Sequence, residues 1–285
     1  MSRVAYVNGA YVPMQNAVVH IEDRGYQFAD GVYEGITVAG GKLIDLEPHL
    51  DRLERSLREL QIDMPMGRRA LSVVFKETVR RNRLQDAFLY IQVTRGVAKR
   101  DHPFPANAVS ALVVTARRLD LNGVKARAEV GIKVSSQPDI RWGRCDVKSI
   151  ALLPNILAKQ AAREAGGFEA VLYDQQGYVT EGSSTNIWMV SADGVLVTRS
   201  TDDNILPGIT RATLMTIAAE LQMKVETRAF TLDESKSAAE MFLTSSTSCA
   251  MPIVEFDGTP IGDGTPGTTA KRLAEAYWAY IDTDR

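Results

Sequence analysis

Lys148 is the residue of this chain best suited to covalent chemistry. It lies in 145–155 (CDVKSIALLPN), beside a largely apolar run. A lysine held in a desolvated site loses its proton more easily than a free amine, whose pKa is about 10.4, and an unprotonated amine can form a Schiff base. A strand lysine that extends its ammonium group into water is the alternative for the same pattern.

Two segments carry residues suited to binding a phosphate. In 206–211 (LPGITR) a Pro-Gly pair precedes an amphipathic run, so the amides of Ile209 and Thr210 are predicted at a helix N-terminus, where anions bind. In 244–248 (TSSTS) five hydroxyl residues follow a predicted strand, and their side chains and amides could surround an oxyanion. Ordinary helix caps and turns account for the same residues.

Four more polar side chains each leave two interpretations open. Arg100 and His102 stand two residues apart on a proline-bounded loop, so an extended backbone projects both to one side, where they could bind a carboxylate. A solvated loop is the alternative for that pair. Glu181, in a TEGSSTN segment, is consistent with a functional site or with an ordinary turn. Arg52, on a leucine-rich helix, is consistent with a functional site or with a solvent-facing position.

Composition and missing motifs exclude several function classes. The 285 residues have a net charge of −2, so no overall field attracts nucleic acid or an anionic membrane. Two cysteines and three scattered histidines predict no metal site, and neither GxGxxG nor a P-loop occurs. Neighbouring carboxylates at 22–23 and 202–203 are interpreted as solvated. Because no run approaches the roughly 18 apolar residues of a spanning helix and nothing indicates export, we expect a soluble, cytoplasmic protein.

The elements that position these residues in the first half alternate between strands and helices. Asn8-Gly9 predicts a hairpin turn, and a strand pair over 31–44 bends at Gly40-Gly41. On that pair Tyr33 and Gly35 share one face. The predicted helices cover 46–60, from leucines at spacings of three and four, and 68–81; the predicted strands cover 86–96 and 107–116.

The second half is predicted to be an α/β domain that follows a linker. Charges, Asn and Gly interrupt the apolar pattern at 119–127, which divides the chain into an N-terminal domain (1–118) and a C-terminal domain (128–285). Its predicted strands cover 129–136, 169–174, 185–190, 194–199 and 241–246, and its predicted helices cover 155–166, 208–223 and the chain from 268.

Taken together, the motifs resemble the fold-type IV pyridoxal-phosphate aminotransferases, and within them the D-amino acid enzymes. The resemblance spans nearly the whole chain in the same order. It rests on EDRGYQFADGVYEG (22–35), HLDRL (49–53), YIQVTRG (90–96), RDH (100–102), RWGRCDVKS (141–149), AKQ (158–160), TEGSSTN (180–186), ILPGITR (205–211) and LTSSTS (243–248). It implies a smaller N-terminal α/β domain and a larger, β-rich α/β domain that binds pyridoxal 5′-phosphate.

The resemblance also implies a role for each candidate residue. Lys148 would form the aldimine with the cofactor, and Glu181 would pair with the pyridine nitrogen. Tyr33 would line the substrate side, and Leu206 would pack on the ring. The phosphate would be bound by Arg52, Ile209, Thr210, Ser246 and Thr247. The substrate carboxylate would be bound by Arg100 and His102 from the neighbouring subunit of a homodimer.

The implied activity is ping-pong transfer of an amino group between a D-amino acid, such as D-alanine, and a 2-oxo acid, such as 2-oxoglutarate. The alternatives are an (R)-selective amine transaminase and, less favoured, a branched-chain L-amino acid aminotransferase or an aminodeoxychorismate lyase. The branched-chain enzymes usually carry Tyr-x-Arg-Pro where this chain has YIQV (90–93), and the lyases generally lack the Arg-x-His pair. Pro207 and Cys249 replace the commoner Lys and Glu, and Gly35 replaces a β-branched residue. The glycine predicts a wider side-chain pocket.

Overall fold

The computed structural model describes residues 3–201 and 204–284 in two compact units. The first unit comprises the chain up to Asp120 together with Val147–Ala151, and the second comprises Leu121–Asp146 with Leu152–Thr283. The predicted boundary at 128 assigns the segment around Lys148 to the C-terminal domain, whereas its contacts lie in the first unit. The carboxylate pair at 202–203 lies outside the described residues.

The first unit is an antiparallel sheet with three helices. The sheet has the strand order β2-β1-β6-β5-β3-β4. Its strands are β1 (Val4–Val7), β2 (Ala10–Pro13), β3 (Gly31–Ala39), β4 (Lys42–Leu43), β5 (Ala87–Thr94) and β6 (Ala111–Arg118), and its helices are α1 (Arg24–Phe28), α2 (Leu46–Glu59) and α3 (Arg68–Arg81).

The core of the first unit lies between one face of this sheet and helices α2 and α3. The leucine stripe that predicts α2 is the buried side of that helix, where Leu50, Leu53 and Leu57 are almost fully enclosed. These side chains meet the inward residues of β3 and β5, which alternate with outward residues as strand geometry requires. The opposite face of the sheet is therefore left for other contacts.

The second unit is built on a larger mixed sheet of the described strands. Its main path runs β12-β11-β10-β13-β14-β7-β8-β9, and β15 pairs with β14. The strands are β7 (Ile132–Pro138), β8 (Glu169–Tyr173), β9 (Val179–Gly182), β10 (Asn186–Val190), β11 (Leu196–Thr198), β12 (Val225–Thr227), β13 (Glu240–Ser245), β14 (Cys249–Phe256) and β15 (Thr259–Pro260). The helices are α4 (Leu121–Val130), α5 (Leu153–Glu164), α6 (Ile209–Glu220), α7 (Leu232–Lys236) and α8 (Thr268–Asp284).

The predicted mixed α/β class is confirmed, and two local expectations are corrected. The segment interpreted as a linker is mostly helix α4, because Leu121 and Val124 are buried against the second unit despite the Asn-Gly pair between them. Asp23 is buried rather than solvated: its carboxylate caps α1 by accepting from the amide of Gly25, and it also accepts from the hydroxyl of Thr94. Among the described residues, no helix combines the length and apolarity needed to cross a bilayer.

Gly96 starts the 97–110 loop at a position that admits no side chain. Its φ is +91°, and a Cβ there would lie 1.9 Å from the carbonyl oxygen of Val109. A left-handed backbone at a non-glycine residue costs roughly 1–2 kcal/mol, and this overlap with main chain adds to that cost. We expect Gly96→Ala to lower the free energy of unfolding by at least about 2 kcal/mol in urea titrations.

Gly67 provides the matched control for this substitution. It caps α3 with an ordinary φ of −65°, and a Cβ there would meet nothing within 4 Å. Gly67→Ala should lower the unfolding free energy by no more than about 1 kcal/mol, because alanine is a poorer N-cap than glycine but meets no steric overlap here. Equal effects of the two substitutions would contradict the assigned role of Gly96.

Candidate active site

The amine of Lys148 lies over an aromatic face of the first unit's sheet. Its Nζ is 4.2 Å from the centroid of the Tyr33 ring, and the Tyr33 and Tyr90 rings are 5.7 Å apart. Burial and the neighbouring Tyr33 raise the pKa of Tyr90 to about 12, so its phenol stays neutral and donates to Oε1 of Gln92 at 2.7 Å. We call this surface the Tyr33 face. It is formed by the outward-facing positions of β3 and β5, which are Tyr33, Gly35, Phe88, Tyr90 and Gln92.

The backbone of Lys148 is fixed from two sides. The amide of Tyr33 donates to the carbonyl oxygen of Lys148 at 3.0 Å, and the amide of Lys148 donates to the hydroxyl of Ser56 on α2 at 3.3 Å. Ser149 then forms an isolated antiparallel bridge with Val32. Because strand β3 and helix α2 both hold the main chain, the Lys148 side chain leaves from a fixed point beside Tyr33.

Arg52 is buried in an ion cluster on the other side of β3, so its solvent-facing interpretation is wrong. Its Nε and NH2 atoms donate to the two carboxylate oxygens of Glu34 at 2.8 and 2.9 Å. Nδ1 of His49 lies 2.7 Å from Oε2 of the same carboxylate. Burial alone would raise the pKa of Glu34, but the charges of Arg52 and His49 outweigh it and hold that pKa far below its usual range.

Two buried arginines hold the 97–110 loop from the inside. Arg24 and Arg95 both donate to the carboxylate of Asp30, at 2.7 Å and at 2.8 and 3.0 Å respectively. Arg24 also donates to the carbonyl oxygens of Asp101 and His102. Burial raises the pKa of Asp30, but hydrogen bonds from both arginines lower it further, so this carboxylate is ionised at neutral pH.

Arg100 and His102 both contact one side chain, Phe28, at the end of α1. The guanidinium carbon of Arg100 is 4.6 Å from the Phe28 ring centroid, and the His102 ring is 5.7 Å from it. Both residues are exposed within the chain. Their predicted placement side by side therefore has a structural basis in a shared aromatic neighbour, while their role in carboxylate binding stays a prediction.

In the second unit, Glu181 on β9 is the centre of another buried ion cluster. Arg141 contacts Oε1 of Glu181 through NH1 and binds Asp139 through Nε and NH2, at 2.9 and 2.7 Å. The hydroxyl of Thr180 donates to Asp139 as well. Burial opposes the charge of Arg141, but the two carboxylates raise the pKa of its guanidinium, which therefore keeps Glu181 beside a permanent positive charge.

Leu206 is tied to Glu181 directly and through Asn186. The amide of Leu206 donates to Oε2 of Glu181 at 3.1 Å, and the Asn186 side chain donates to that same oxygen and to the carbonyl of Leu206. Gly208 follows at a close approach, since a Cβ there would lie 2.0 Å from Oδ1 of Asn186. The LPG sequence is thereby fixed against β9 and β10.

The remaining predicted phosphate residues lie at a helix start and at a hairpin tip. Ile209 and Thr210 open α6, which has Gly208 as N-cap and no side-chain cap. Ser246 and Thr247 lie in the turn between β13 and β14, where Ser245 pairs with Cys249. Helix α6 packs on β13. The uncapped amides at the start of this helix and the hydroxyls at the hairpin tip are each suited to an oxyanion, and their joint role in binding a phosphate stays a prediction.

The structure also places polar residues that lie in the quoted motifs but to which the sequence assigned no role. Arg24, Glu34 and Arg95 are buried, and Asp30 and Arg141 are largely enclosed beside them or in the second cluster. One detectable signal was the charge of Glu34 at an inward position of an alternating strand, since a buried charge requires a partner. The wider pocket expected at Gly35 is wrong, because the ring of Phe88 occupies that space: a Cβ on Gly35 would lie 2.6 Å from its Cζ.

A sequence model of the amino-transferase class IV family matches residues 31–256, which include both buried clusters around Glu34 and Glu181. This chain belongs to the class IV aminotransferases. The chain is 39% identical to the D-alanine aminotransferase of Bacillus licheniformis over 269 residues, which are 94% of each chain. It is 36% identical to the D-alanine aminotransferase of Staphylococcus aureus (strain N315) over 278 residues, or 98% of each chain. The predicted family and enzyme class are confirmed.

Solved structures of branched-chain amino acid aminotransferases have the same fold as this class IV aminotransferase. One of them, solved with pyridoxamine 5′-phosphate, superposes with a TM-score of 0.91 at 27% identity, covering 100% of this chain and 96% of that one. The enzyme of Thermoproteus uzoniensis with norvaline gives 0.88 at 26% identity, covering 100% and 96%. The fold is thus common to enzymes named for different substrates.

The cluster around Glu34 makes a pH-dependent contribution to stability. Removing one partner of a buried ion pair costs about 3–5 kcal/mol, so Glu34→Gln should destabilise the enzyme by about that amount at pH 7. The pKa of Glu34 is lower in the folded state than the unfolded value of about 4.3, so this contribution is complete above that pH and is lost as the pH falls. The difference between wild type and variant in urea unfolding should therefore shrink between pH 7 and pH 3.

Glu54→Gln is the matched control, because Glu54 binds Arg68 with the same two-bond geometry at the solvent edge of α2. An exposed pair contributes at most about 1 kcal/mol. If Glu34→Gln is no more destabilising than Glu54→Gln at pH 7, the buried cluster does not have the importance assigned to it.

Proposed function

We propose that this class IV aminotransferase moves the amino group of a D-amino acid, with D-alanine as the first candidate, to a 2-oxo acid such as 2-oxoglutarate. The observation that carries the proposal is the Lys148 amine over the Tyr33 ring, in a chain whose curated relatives at 35–39% identity are D-alanine aminotransferases. Among the described residues, Lys148 has no carboxylate partner for its Nζ. This amine is therefore available for chemistry with a carbonyl group.

The cofactor is pyridoxal 5′-phosphate, and the residues present fit it. A lysine amine matches its aldehyde. The uncapped amides of Ile209 and Thr210, with the hydroxyls of Ser246 and Thr247, match its phosphate. We assign Arg52 to the phosphate as well. We assign the carboxyl group of Glu181 to the pyridine nitrogen and Leu206 to the face of the ring. When bound, the cofactor withdraws electrons from the substrate Cα and makes its proton acidic.

Lys148 supplies the base for the reaction on that proton. Its Nζ would accept the proton from the substrate Cα and donate it to the former aldehyde carbon of the cofactor, on the far side of the amino nitrogen, so that one amine on one side serves both transfers. Fixing the Lys148 main chain to β3 and α2 limits where the amine can reach, which favours a single face of the substrate. Arg141 keeps a positive charge beside Glu181 during these transfers, because its guanidinium does not give up its proton at working pH.

Arg100 and His102 are assigned to the substrate carboxylate. A guanidinium and an imidazole both lie beside Phe28, and both are donors that suit a carboxylate. With one base on one face, the position of the carboxylate decides which enantiomer presents its Cα proton to Lys148. The Arg-x-His arrangement supports the D-amino acid assignment over the branched-chain L-amino acid one.

We further propose that the enzyme acts as a homodimer in which the neighbouring subunit supplies Arg100 and His102. Both residues lie on an exposed loop that also presents apolar side chains, among which Phe104 is 54% and Val109 is 82% exposed. Exposed apolar side chains on a loop that carries binding residues are suited to burial against another copy. The predicted cytoplasmic location stays a prediction.

The half-reaction of the holoenzyme tests the substrate class. D-alanine should bleach the visible absorbance of the bound cofactor at least 100-fold faster than L-alanine or (R)-1-phenylethylamine does, and turnover should require 2-oxoglutarate. Lys148→Ala should lower the rate by 10²–10⁴-fold, as expected for loss of a general base. Bleaching by L-leucine alone would favour a branched-chain enzyme. Bleaching by the (R)-amine alone would favour an amine transaminase, and product release without an oxo acid would favour a lyase.

A hybrid dimer tests whether Arg100 acts across the subunit interface. Chains with Lys148→Ala and chains with Arg100→Leu should each be nearly inactive at low D-alanine concentration. A hybrid of the two, isolated through different affinity tags, combines an intact Lys148 with an intact Arg100 from the other chain. We expect the hybrid to recover about half of the wild-type activity; an inactive hybrid would mean that Arg100 serves its own subunit.

A further inference from the structure

On the Tyr33 face, strand β3 leaves a gap between its side chains, and a side chain of the neighbouring strand β5 fills it. Across the β3–β5 register, Tyr33 lies opposite Gln92, Gly35 opposite Tyr90 and Thr37 opposite Phe88. Gly35 presents no side chain between Tyr33 and Thr37. The half-buried Phe88 leans across from the neighbouring strand into that gap.

The contact between Phe88 and Gly35 depends on the missing Cβ. A Cβ built on Gly35 would lie 2.6 Å from Cζ and 2.7 Å from Cε2 of Phe88, well inside van der Waals contact. The guanidinium carbon of Arg117, on β6, lies 5.0 Å from the ring centroid. The ring is thus seated on the Gly35 backbone with a cation near it, and Gly35 and Phe88 complement each other in volume.

This ring lies within reach of a substrate side chain. Residues two apart on a strand are separated by about 6.6 Å, so Gly35 and its overlying ring are one step along the face from Tyr33. The Lys148 amine lies on Tyr33, and Tyr90 joins the two positions through its contact with the Tyr33 ring. A methyl group on a substrate held at this amine would not reach Phe88, whereas a branched or aromatic side chain would.

We propose that Phe88 is a specificity-determining residue that restricts the enzyme to D-amino acids with small side chains. The proposal rests on the proposed function, since it concerns the substrate of the same amine. A phenylalanine ring seated on a glycine takes the place of the side chain that Gly35 lacks. The glycine therefore does not widen the site, because the space left by the missing side chain on β3 is filled by the large side chain on β5.

The test compares kcat/KM for D-phenylalanine with kcat/KM for D-alanine in four holoenzymes. Phe88→Ala should raise the D-phenylalanine to D-alanine ratio at least 10-fold, within the range that one pocket contact supplies. Phe88→Leu should raise it less, in the same direction, and serves if the alanine variant folds poorly. Phe88→Ala combined with Gly35→Val should return the ratio to within about threefold of wild type, because the valine refills the space.

Two further measurements separate specificity from a merely structural effect. Gly35→Val alone should lower the Tm by several degrees, and Phe88→Ala should remove most of that loss, which gives a coupling between the two positions in a thermal double-mutant cycle. Tyr11→Ala is the control: Tyr11 is a half-buried aromatic with Arg81 4.3 Å from its ring, on edge strand β2 of the same sheet. This control should leave the substrate ratio unchanged.

The outcomes distinguish this inference from the proposed function. If the wild-type holoenzyme transaminates no D-amino acid, the proposed function is wrong and this inference fails with it. If the wild type uses D-alanine but folded Phe88→Ala and Phe88→Leu keep the wild-type ratio within twofold, only the role of Phe88 is wrong. A shift of the same size in Tyr11→Ala would also overturn the assignment.

Discussion

The buried carboxylate of Glu34 is the interaction on which the arrangement of the first unit depends. A carboxylate with 1% of its surface exposed is stable only with hydrogen-bonding and charged partners beside it, and both of its partners, Arg52 and His49, come from α2. The ion cluster therefore fixes the rotation of α2 against β3. That same rotation places Ser56 where its hydroxyl accepts from the amide of Lys148. Strand alternation then puts Tyr33, the residue before Glu34, on the opposite face beneath the lysine amine.

Buried ion pairs between arginine and carboxylate side chains also occur at two other places where candidate site residues lie. Asp30 joins Arg24 to Arg95 under the 97–110 loop, and Arg141 joins Asp139 to Glu181 in the second unit. Arginine suits each place, because its planar fork forms two directed bonds and keeps its charge when buried. Each cluster thereby holds a loop or a strand end through directed bonds, in addition to the apolar packing of its unit.

The sequence predicted the elements that hydrophobic periodicity controls and the motifs whose chemistry is local. Helix α2 and the first hairpin follow from leucine spacing and Asn8-Gly9, and they are as expected. Features that depend on residues far apart in the chain were not predictable. The pairing of Glu34 with Arg52 spans 18 positions. The contact of the Phe88 ring with the Gly35 backbone can be predicted only if the register of β3 and β5 is known. Helix α4 was missed because Asn122-Gly123 resembles a turn, while burial of Leu121 and Val124 determines the outcome.

Substrate choice in this class IV aminotransferase must come from side chains carried by the fold rather than from the fold. Branched-chain enzymes share the fold at a TM-score of 0.91 with only 27% identity, whereas D-alanine enzymes share up to 39% of the residues. If Lys148 is the base, as proposed, its anchoring to β3 and α2 defines where a proton is taken, whichever enantiomer binds. The proposed function assigns the choice of enantiomer to the 97–110 loop, which would hold the carboxylate, and the accepted side-chain size to the Tyr33 face beside the amine. The loop is itself bonded to a buried cluster, since Arg24 donates to the carbonyl oxygens of Asp101 and His102, so its position depends on the clusters beneath it.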